Sequence, residues 1–553
     1  MSKELILKEA KNYENDMIRF MRDLIAIPGE SCKEENVIRR IKTEMEKVGF
    51  DEIMIDKMGN IIGRIGDGQT KIMMDAHIDT VGIGDRTAWK IDPYNGEFKD
   101  GIIYGRGASD QRAAMVAMVY AGAIIKNLKL KDDYTLYVTG TCQEEDCDGL
   151  PLLHMIRDEK KIVPDYVVIT EPTNLNVYRG HRGRMEIKVV TKGLSCHGSA
   201  PERGVNAVYK MMPIVEGIEK LNDSLAPNKF LGKGTITVSK IECKTPSLCA
   251  VPDECTIYID RRLTAGEDMK LAVSQIQKIV SATAHSKDAR VEVLQYEEKS
   301  WTGLTVGQEK YYPTWVLPED HVLTQAMAKS AEIATGHKTK IDKWTFSTNG
   351  VASMGRLGIP TIGFGPAHEV YAHSINDQVP VEHIVKAAAV YAMFPEIFTK
   401  MLAEEIKAGK DPKKVVMEVE AEAPAEKTVK AKRGPGRPPA KAVAKKKAGR
   451  PAKKAGRPAK KAAAKVEKAP KKRGRKPAAE KAVKVSKKIE KQPKTSRTLD
   501  DVLKLLNIGV TSEKTAKKAG RKPGPKPAKK AGRPAKKTVA KIAGRRPGRP
   551  AKK

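Results

Sequence analysis

His77, Asp110, Glu144, Glu145, Glu171 and His373 fall in five short segments, MMDAHIDT, YGRGASD, TCQEED, VITEPTN and GPAHEVYAHSIND. Carboxylates and imidazoles are the donors that hold divalent cations, and a pair of such cations can make hydroxide from water near neutral pH. The chemistry this set would support is metal-assisted hydrolysis. Taken alone, His77-Ile78-Asp79 is a weak signal, because a His-x-Asp pair is ordinarily solvated. On a strand, alternation points both side chains the same way, so that Asp79 can orient and polarise the imidazole. Asp110, after the glycines of YGRGAS, would alone read as an acid at a helix N-terminus. Glu144 and Glu145, with Asp146 behind them, would alone read as an exposed acidic loop. Here they follow directly on an apolar strand, and such clustered negative charge is unfavourable unless cations compensate it. One carboxylate would bind metal while its neighbour takes a proton from water.

The elements that must position these residues alternate between strand and helix. KIMMDAHID, YTLYVTGTCQ and PDYVVIT read as buried strands. ASDQRAAMVAMVYAGAIIKNL reads as an apolar helix with small residues where it packs on a sheet. This alternation predicts a parallel-rich α/β sandwich, with the acids at or just beyond strand C-terminal ends. From Arg182 the pattern changes to strand, helix, two strands, helix, strand: RMEIKVVTKG, NAVYKMMPIVEGIEKLN, GTITVSKIECK, ECTIYIDRRL, DMKLAVSQIQKIVSATA and RVEVLQYEEK. That βαββαβ order is ferredoxin-like. It reads as an insertion, because α/β signals resume with LGIPTIGFG and VEHIVKAAAVYAMFPEIFTKML. The expected organisation is a catalytic domain in two parts, 1–181 and 300–410, an inserted domain at 182–299, and a tail at 411–553.

The 553 residues leave room for more than one domain and carry a formal net charge of +34. That charge is concentrated in the tail. Residues 411–553 hold 49 Lys and Arg against 11 Asp and Glu, which leaves 53 basic (102 − 49) and 57 acidic (68 − 11) residues for 1–410. The first residues, MSKELILKEAKNYENDM, lack an apolar run behind a basic cluster, so no secretory signal is expected. No stretch is long and apolar enough to span a membrane. Seven cysteines, scattered without metal-finger spacing, favour a reduced, cytoplasmic setting.

As an ordered set, these motifs resemble the zinc-dependent amidohydrolases that include acetylornithine deacetylase, succinyl-diaminopimelate desuccinylase, aminoacylase and bacterial glutamate carboxypeptidase. The resemblance spans roughly residues 5–400. Through ITEPTNLNVYRGHRGRMEI it is nearest to the selenium-metabolism hydrolase subgroup. It implies that His77 and Glu171 bind one metal, Glu145 and His373 the other, and that Asp110 bridges them. Glu144 would be the general base and Asp79 the partner of His77. The metals implied are two divalent ions, zinc first, with cobalt or manganese as alternatives. The inserted domain would be a lid through which the chain forms a homodimer. His197, in GLSCHGSAP, would reach the scissile carbonyl across the dimer, and Arg262, in IDRRL, would bind the substrate carboxylate. Glu144 would move a proton from the attacking water to the leaving amine of a small N-acyl or N-carbamoyl amino acid or dipeptide, while His197 stabilises the oxyanion. Two departures from the family bear on its substrate pocket. Cys249 stands where relatives carry Asn, and Ser347-Thr348-Asn349-Gly350 replaces a Gly-Gly-Thr-Asp-like run. Neither an acetylornithine nor a succinyl substrate is therefore to be assumed. Gln111-Arg112 after Asp110 is a further variation.

Beyond Lys410 there is no aromatic residue, and Lys, Ala, Pro and Gly dominate. Such a segment buries too little apolar surface to offset its conformational entropy and is expected to be disordered. One island, TSRTLDDVLKLLNIGVTSEK, places Leu499, Val502, Leu505 and Leu506 on one helical face. Gly-Arg-Pro recurs at Arg437, Arg450, Arg457, Arg533 and Arg549, with related cores at Arg475, Arg521 and Arg545. These resemble AT-hooks, and the Ala-Lys-Lys spacers resemble linker-histone tails. Gly lets the backbone lie in the groove, Pro keeps it extended, and Arg enters the narrow minor groove of A·T-rich DNA. A generic polycation that binds any polyanion, RNA included, is the plainer alternative. The whole-chain reading is a hydrolase on a DNA-binding tail, cytoplasmic and nucleoid-associated. The competing reading is a nucleoid or chromatin protein whose front domain serves as a dimerising scaffold. An intact base and ligand set favours the enzyme.

Overall fold

A computed structural model of the chain describes residues 3–415 other than 131, 160, 161 and 285. The basic tail from 416 onwards, with its Gly-Arg-Pro cores and its amphipathic island, lies outside the described residues.

The central sheet has eight strands in the order Glu52–Ile55, Ile61–Ile65, Tyr134–Thr141, Thr70–His77, Tyr166–Ile169, Thr361–Phe364, Val177–Tyr178 and Ile341–Asp342. Its middle four strands, from Tyr134–Thr141 to Thr361–Phe364, run parallel. Those at the centre are nearly continuous apolar runs, such as YVVI at 166–169, every residue of which is buried. A strand covered on both faces needs that pattern.

Much of the cover comes from helix Ala113–Asn127. It is buried from Ala113 to Ile125 and is apolar on every side rather than on one stripe. Such a helix must be enclosed. It lies against strands Thr70–His77 and Tyr134–Thr141 and against the long helix Val381–Lys407, with helices Glu14–Ile25 and Glu35–Val48 also touching it. Among the described residues, no helix is long and apolar enough to cross a membrane.

A second sheet lies between the two parts of the first fold. Its strands are ordered Thr235–Lys244, Glu254–Leu263, Gly183–Lys192 and Ala289–Val293, all antiparallel, with Tyr311–Tyr312 also paired to Gly183–Lys192. Helices Ala207–Ser224 and Met269–Ser281 complete the strand–helix–strand–strand–helix–strand order. Tyr311 and Tyr312, which follow residue 299 in the chain, nevertheless pair with Met185 and Arg184.

The segment ASDQR is not the first turn of the helix that follows it. The helix starts at Ala113, while Asp110 and Gln111 have extended or irregular backbones (φ −122°, ψ 97° and φ −131°, ψ 37°). Arg112 accounts for part of this. Its buried guanidinium donates from Nη1 to the carbonyls of Leu24 (2.5 Å) and Ile27 (2.8 Å), and from Nε to that of Ile78 (3.2 Å). It thereby ties the C-terminus of Glu14–Ile25 to the chain just beyond His77. Burial lowers Arg112 to about 10, which leaves it charged at neutral pH. Arg112→Leu strands two buried carbonyls and one part-buried one. Its unfolding free energy, read from urea midpoints, is expected to fall by roughly 3 kcal/mol or more.

Candidate active site

Strand Thr70–His77 ends on His77, Tyr134–Thr141 stops just short of Glu144 and Glu145, and Tyr166–Ile169 stops two residues before Glu171. Because the three strands are parallel neighbours, all four side chains leave the sheet at one edge. Asp110 comes to the same edge from its irregular turn. His373 comes from the loop beyond Thr361–Phe364, with its own backbone in the left-handed region (φ 56°).

The six residues converge in one cavity of about 380 Å³. His77 Nε2 lies 2.9 Å from Asp110 Oδ1, 3.5 Å from Glu171 Oε1 and 3.9 Å from Glu144 Oε2. His373 Nε2 lies 3.2 Å from Asp110 Oδ2 and 2.8 Å from Glu145 Oε2. Asp110 therefore turns one oxygen to each imidazole, the disposition of a bridging carboxylate. Two donor groups, His77–Asp110–Glu145 and His77–Glu144–Glu171, each bring their ligand atoms within 4.8 Å of one another. The donor set of carboxylate oxygens and imidazole nitrogens suits divalent cations.

Buried acids behind the cavity hold the loops that carry it. Asp79 is fully buried. It accepts from the N–H groups of Glu144 (3.3 Å) and Glu145 (3.2 Å) and from the Ser31 hydroxyl (2.7 Å), and it lies 3.5 Å from His77 Nδ1. Asp377, the last residue of the HSIND segment, does the same for the Asp110 turn. It accepts from Gly107 N–H, Ser109 N–H and the Ser109 hydroxyl, each at 2.8 Å, and pairs with Arg106 at 3.2 Å. Gly107 is left-handed (φ 84°), and a side chain there would also press within 2.9 Å of Thr80. Glu34 Oε1 accepts from the N–H groups of Cys32 (2.8 Å) and Gln143 (3.0 Å). Burial, with Asp79 alongside, pushes Glu34 up to about 8, so near neutral pH it adds little negative charge.

Of the residues expected to meet substrate, Arg262 lines the cavity, with Nε and Nη2 held by Asp260 at 2.8 and 3.0 Å. His197 does not line it. It stands exposed on the second-sheet segment, its Nδ1 held by the Ser199 hydroxyl at 2.7 Å. Cys249 is exposed and is likewise absent from the cavity wall. The 347–350 run divides. Ser347 lines the cavity and donates to Asp148, whereas Thr348 and Asn349 are buried and serve the framework. Thr348 N–H donates to His181 Nε2 (3.1 Å), and Asn349 joins Gly149 N–H (2.7 Å) to Asp75 (2.9 Å). Sequence reasoning missed Asp148 and Arg184, both on the wall and joined at 2.9 Å. Asp148 is the fourth acid of EEDCD, a visible signal. Nothing in the spacing of Arg184 marks it.

The site is electrostatically tense. Burial raises Glu144 and Glu171 well above the usual carboxylate range, against the pull of His77. Burial would lower His77, but Glu171, Asp110 and Asp79 carry it well above its ordinary value. His373 is raised to about 10 by its hydrogen bonds to Asp110 and Glu145.

A family model described as peptidase family M20/M25/M40 matches residues 73–396, more than half of the chain. The chain is 53% identical over 392 residues to the protein YgeY of Escherichia coli (strain K12), covering 71% of this chain and 96% of YgeY. It is 24% identical over 403 residues to the succinyl-diaminopimelate desuccinylase of Ehrlichia canis (strain Jake), covering 68% and 97%. The crystal structure of Bacillus subtilis YXEP, a dinuclear metal binding peptidase, shares the fold. Its TM-score is 0.53 at 13% identity, over 71% of this chain and 99% of that one.

A cation entering this site must displace protons held between the histidines and the acids. Because these pKa values are raised, the protonated forms persist at neutral pH and are lost as pH rises. Apparent metal affinity should therefore climb with pH, by up to about tenfold per unit for each proton displaced. Calorimetric titration of the metal-free protein in buffers of different ionisation enthalpy measures that release. An affinity independent of pH would remove the histidines from the ligand set.

Proposed function

The chain belongs to peptidase family M20/M25/M40, and from that premise we propose that it hydrolyses the amide bond of a small N-acyl or N-carbamoyl amino acid or of a dipeptide. Metal-dependent hydrolysis is the family's chemistry; the substrate class and the residue roles are the proposal. The observation that carries it is the convergence of His77, Asp110, Glu144, Glu145, Glu171 and His373 on one cavity. In this reading His77 and Glu171 hold one divalent cation, Glu145 and His373 the other, and Asp110 spans them. Zinc is the first choice, with cobalt or manganese as alternatives. Bound there, the cations would supply Lewis acidity to the carbonyl and acidify water.

The chain's own residues do the rest. Glu144 is the acid of the set farthest from an imidazole, 3.9 Å from His77 against 3.5 Å for Glu171. Its buried carboxylate has a raised proton affinity, which suits a group that takes a proton from water and returns it to the leaving amine. Asp79 fixes Glu144 and Glu145 through their N–H groups. Arg262 receives the substrate carboxylate. His197, exposed and outside the cavity, would serve from the second subunit of a homodimer. Exposed Tyr209, Met212 and Leu248 on the same inserted segment support such an interface.

The test is a screen of the metal-loaded protein against N-acyl, N-carbamoyl and dipeptide libraries. In any substrate found, Glu144→Ala should lower kcat by about 10²–10⁴-fold while retaining metal. Equal loss of bound metal would make Glu144 a ligand instead.

For residues 411–553 the proposal is binding to A·T-rich DNA, carried by the repeated Gly-Arg-Pro cores and a charge of 49 basic against 11 acidic residues. Arg437, Arg450, Arg457, Arg475, Arg533 and Arg549 would enter the minor groove, keeping the enzyme on the nucleoid. Titration of the full chain with A·T-rich and G·C-rich duplexes should favour the former. Its log affinity should fall with log salt at a slope of about −0.9 per phosphate contacted. Equal affinity for both duplexes, or insensitivity to salt, would refute the groove reading.

A further inference from the structure

Strands Thr235–Lys244 and Glu254–Leu263 run antiparallel in a register that sets Cys243 directly opposite Cys255. Residues so opposed project from the same face of the sheet. Antiparallel pairs alternate between those that exchange backbone hydrogen bonds and those that do not, and the second kind lies closer, with Cα atoms ~4.5 Å apart. Side-chain contacts reveal which kind this is. The Thr191 hydroxyl, on Gly183–Lys192, donates to the Cys255 carbonyl at 3.4 Å, whereas the Ser239 hydroxyl, on Thr235–Lys244, donates to the Tyr258 carbonyl at 3.2 Å. Odd-numbered residues of Glu254–Leu263 thus turn their backbone groups away from Thr235–Lys244. Cys243 and Cys255 therefore form a pair without mutual backbone hydrogen bonds. Their separation falls at the short end of the ~4.4–6.8 Å that a disulfide spans.

Both thiols are free, Cys243 exposed and Cys255 buried. An exposed thiol meets reagents from solution; a buried one is reached by its neighbour. Burial raises Cys255 to about 11, which leaves Cys243 as the thiol that reacts first.

We propose that Cys243 and Cys255 are an oxidisable dithiol, closed to a disulfide by a low-molecular-weight disulfide of the glutathione type. The Cys243 thiolate attacks one sulfur of the reagent, and one glutathione thiolate leaves. The Cys255 thiolate then attacks the Cys243 sulfur of the mixed disulfide and releases the second glutathione. The protein gives up two electrons and two protons, and one reagent disulfide becomes two thiols. The new bond closes the base of the 245–253 hairpin. That hairpin holds the His197 segment: Gly198 N–H donates to the Cys249 carbonyl (2.6 Å), Val251 N–H to that of Cys196 (2.9 Å), and Ala250 bridges His197. Oxidation therefore fastens the hairpin against which His197 is set. This holds whether or not the chain is a hydrolase of the proposed class.

The test incubates the full chain with oxidised glutathione, counts thiols, maps linked peptides and follows amide exchange. Free thiols should fall from seven to five. A proteolytic peptide pair should be joined through Cys243 and Cys255, and exchange across 245–251 should slow. Cys243→Ser should abolish the bridge, and Cys249→Ser should leave it. Glutathione retained on Cys243 alone, a bridge between other cysteines, or survival of all seven thiols would overturn the proposal.

Discussion

Four carboxylates, those of Asp110, Glu144, Glu145 and Glu171, share one pocket largely shielded from water, and the rest of the molecule is arranged around the cost of putting them there. An isolated buried carboxylate is strongly disfavoured and responds by holding its proton. Burial does raise Glu144, Glu145 and Glu171. Asp110 goes the other way. Burial would raise it, but its contacts with His373 and His77 carry it well below the usual range. The imidazoles thus do for Asp110 what a cation does more effectively for the whole set, and a site built to receive cations explains why the acids tolerate one another.

The loops that carry these groups are restrained by a second layer of acids that never enter the cavity. Asp79 takes the N–H groups of Glu144 and Glu145, Asp377 those of Gly107 and Ser109, and Glu34 those of Cys32 and Gln143. In each case a fixed carboxyl group accepts from backbone donors that a buried irregular loop would otherwise leave unpaired. The sheet delivers the chain to the right edge, and these acceptors set the last ångström. Function-bearing residues can therefore sit on irregular backbone without the positional slack loops usually have.

This division explains what the sequence made legible. Strand and helix identities, the inserted βαββαβ order and the gathering of the acids at one sheet edge all follow from periodicity, which the chain writes plainly. Alternation on a strand predicts Asp79 beside His77; the strand ends at His77, and the His77 Nδ1 lies 3.1 Å from the Asp79 carbonyl and 3.5 Å from the Asp79 carboxylate. The grip of Asp79 on the N–H groups of Glu144 and Glu145 was not legible, because those contacts join segments more than sixty residues apart through the backbone. Arg112 looked like a mere variation beside Asp110, yet it anchors a helix end some 85 residues earlier in the chain. The Ser347–Gly350 run was expected as one pocket feature. The run is irregular backbone rather than a strand, so Ser347 meets the cavity while Asn349, two residues on, is spent on Asp75 and Gly149. Periodicity of the sequence gives facing; only the assembled fold tells what is faced.

The cationic side of the cavity follows the same rule of compensation. Arg184 is part-buried, lies over the Tyr312 ring at 4.5 Å and donates to the buried Asp148, which in turn accepts from Ser347. Its charge is therefore already answered, and breaking that chain would leave the buried Asp148 without its cation. Arg262 is held at Nε and Nη2 by Asp260, but its partner is only partly buried. An incoming anion competes more readily with a partly solvated carboxylate than with one locked in a buried pair. Of the two guanidinium groups on the wall, Arg262 is thus the one more easily parted from its partner by an incoming anion. Arg184 is placed to keep the wall in shape while that happens.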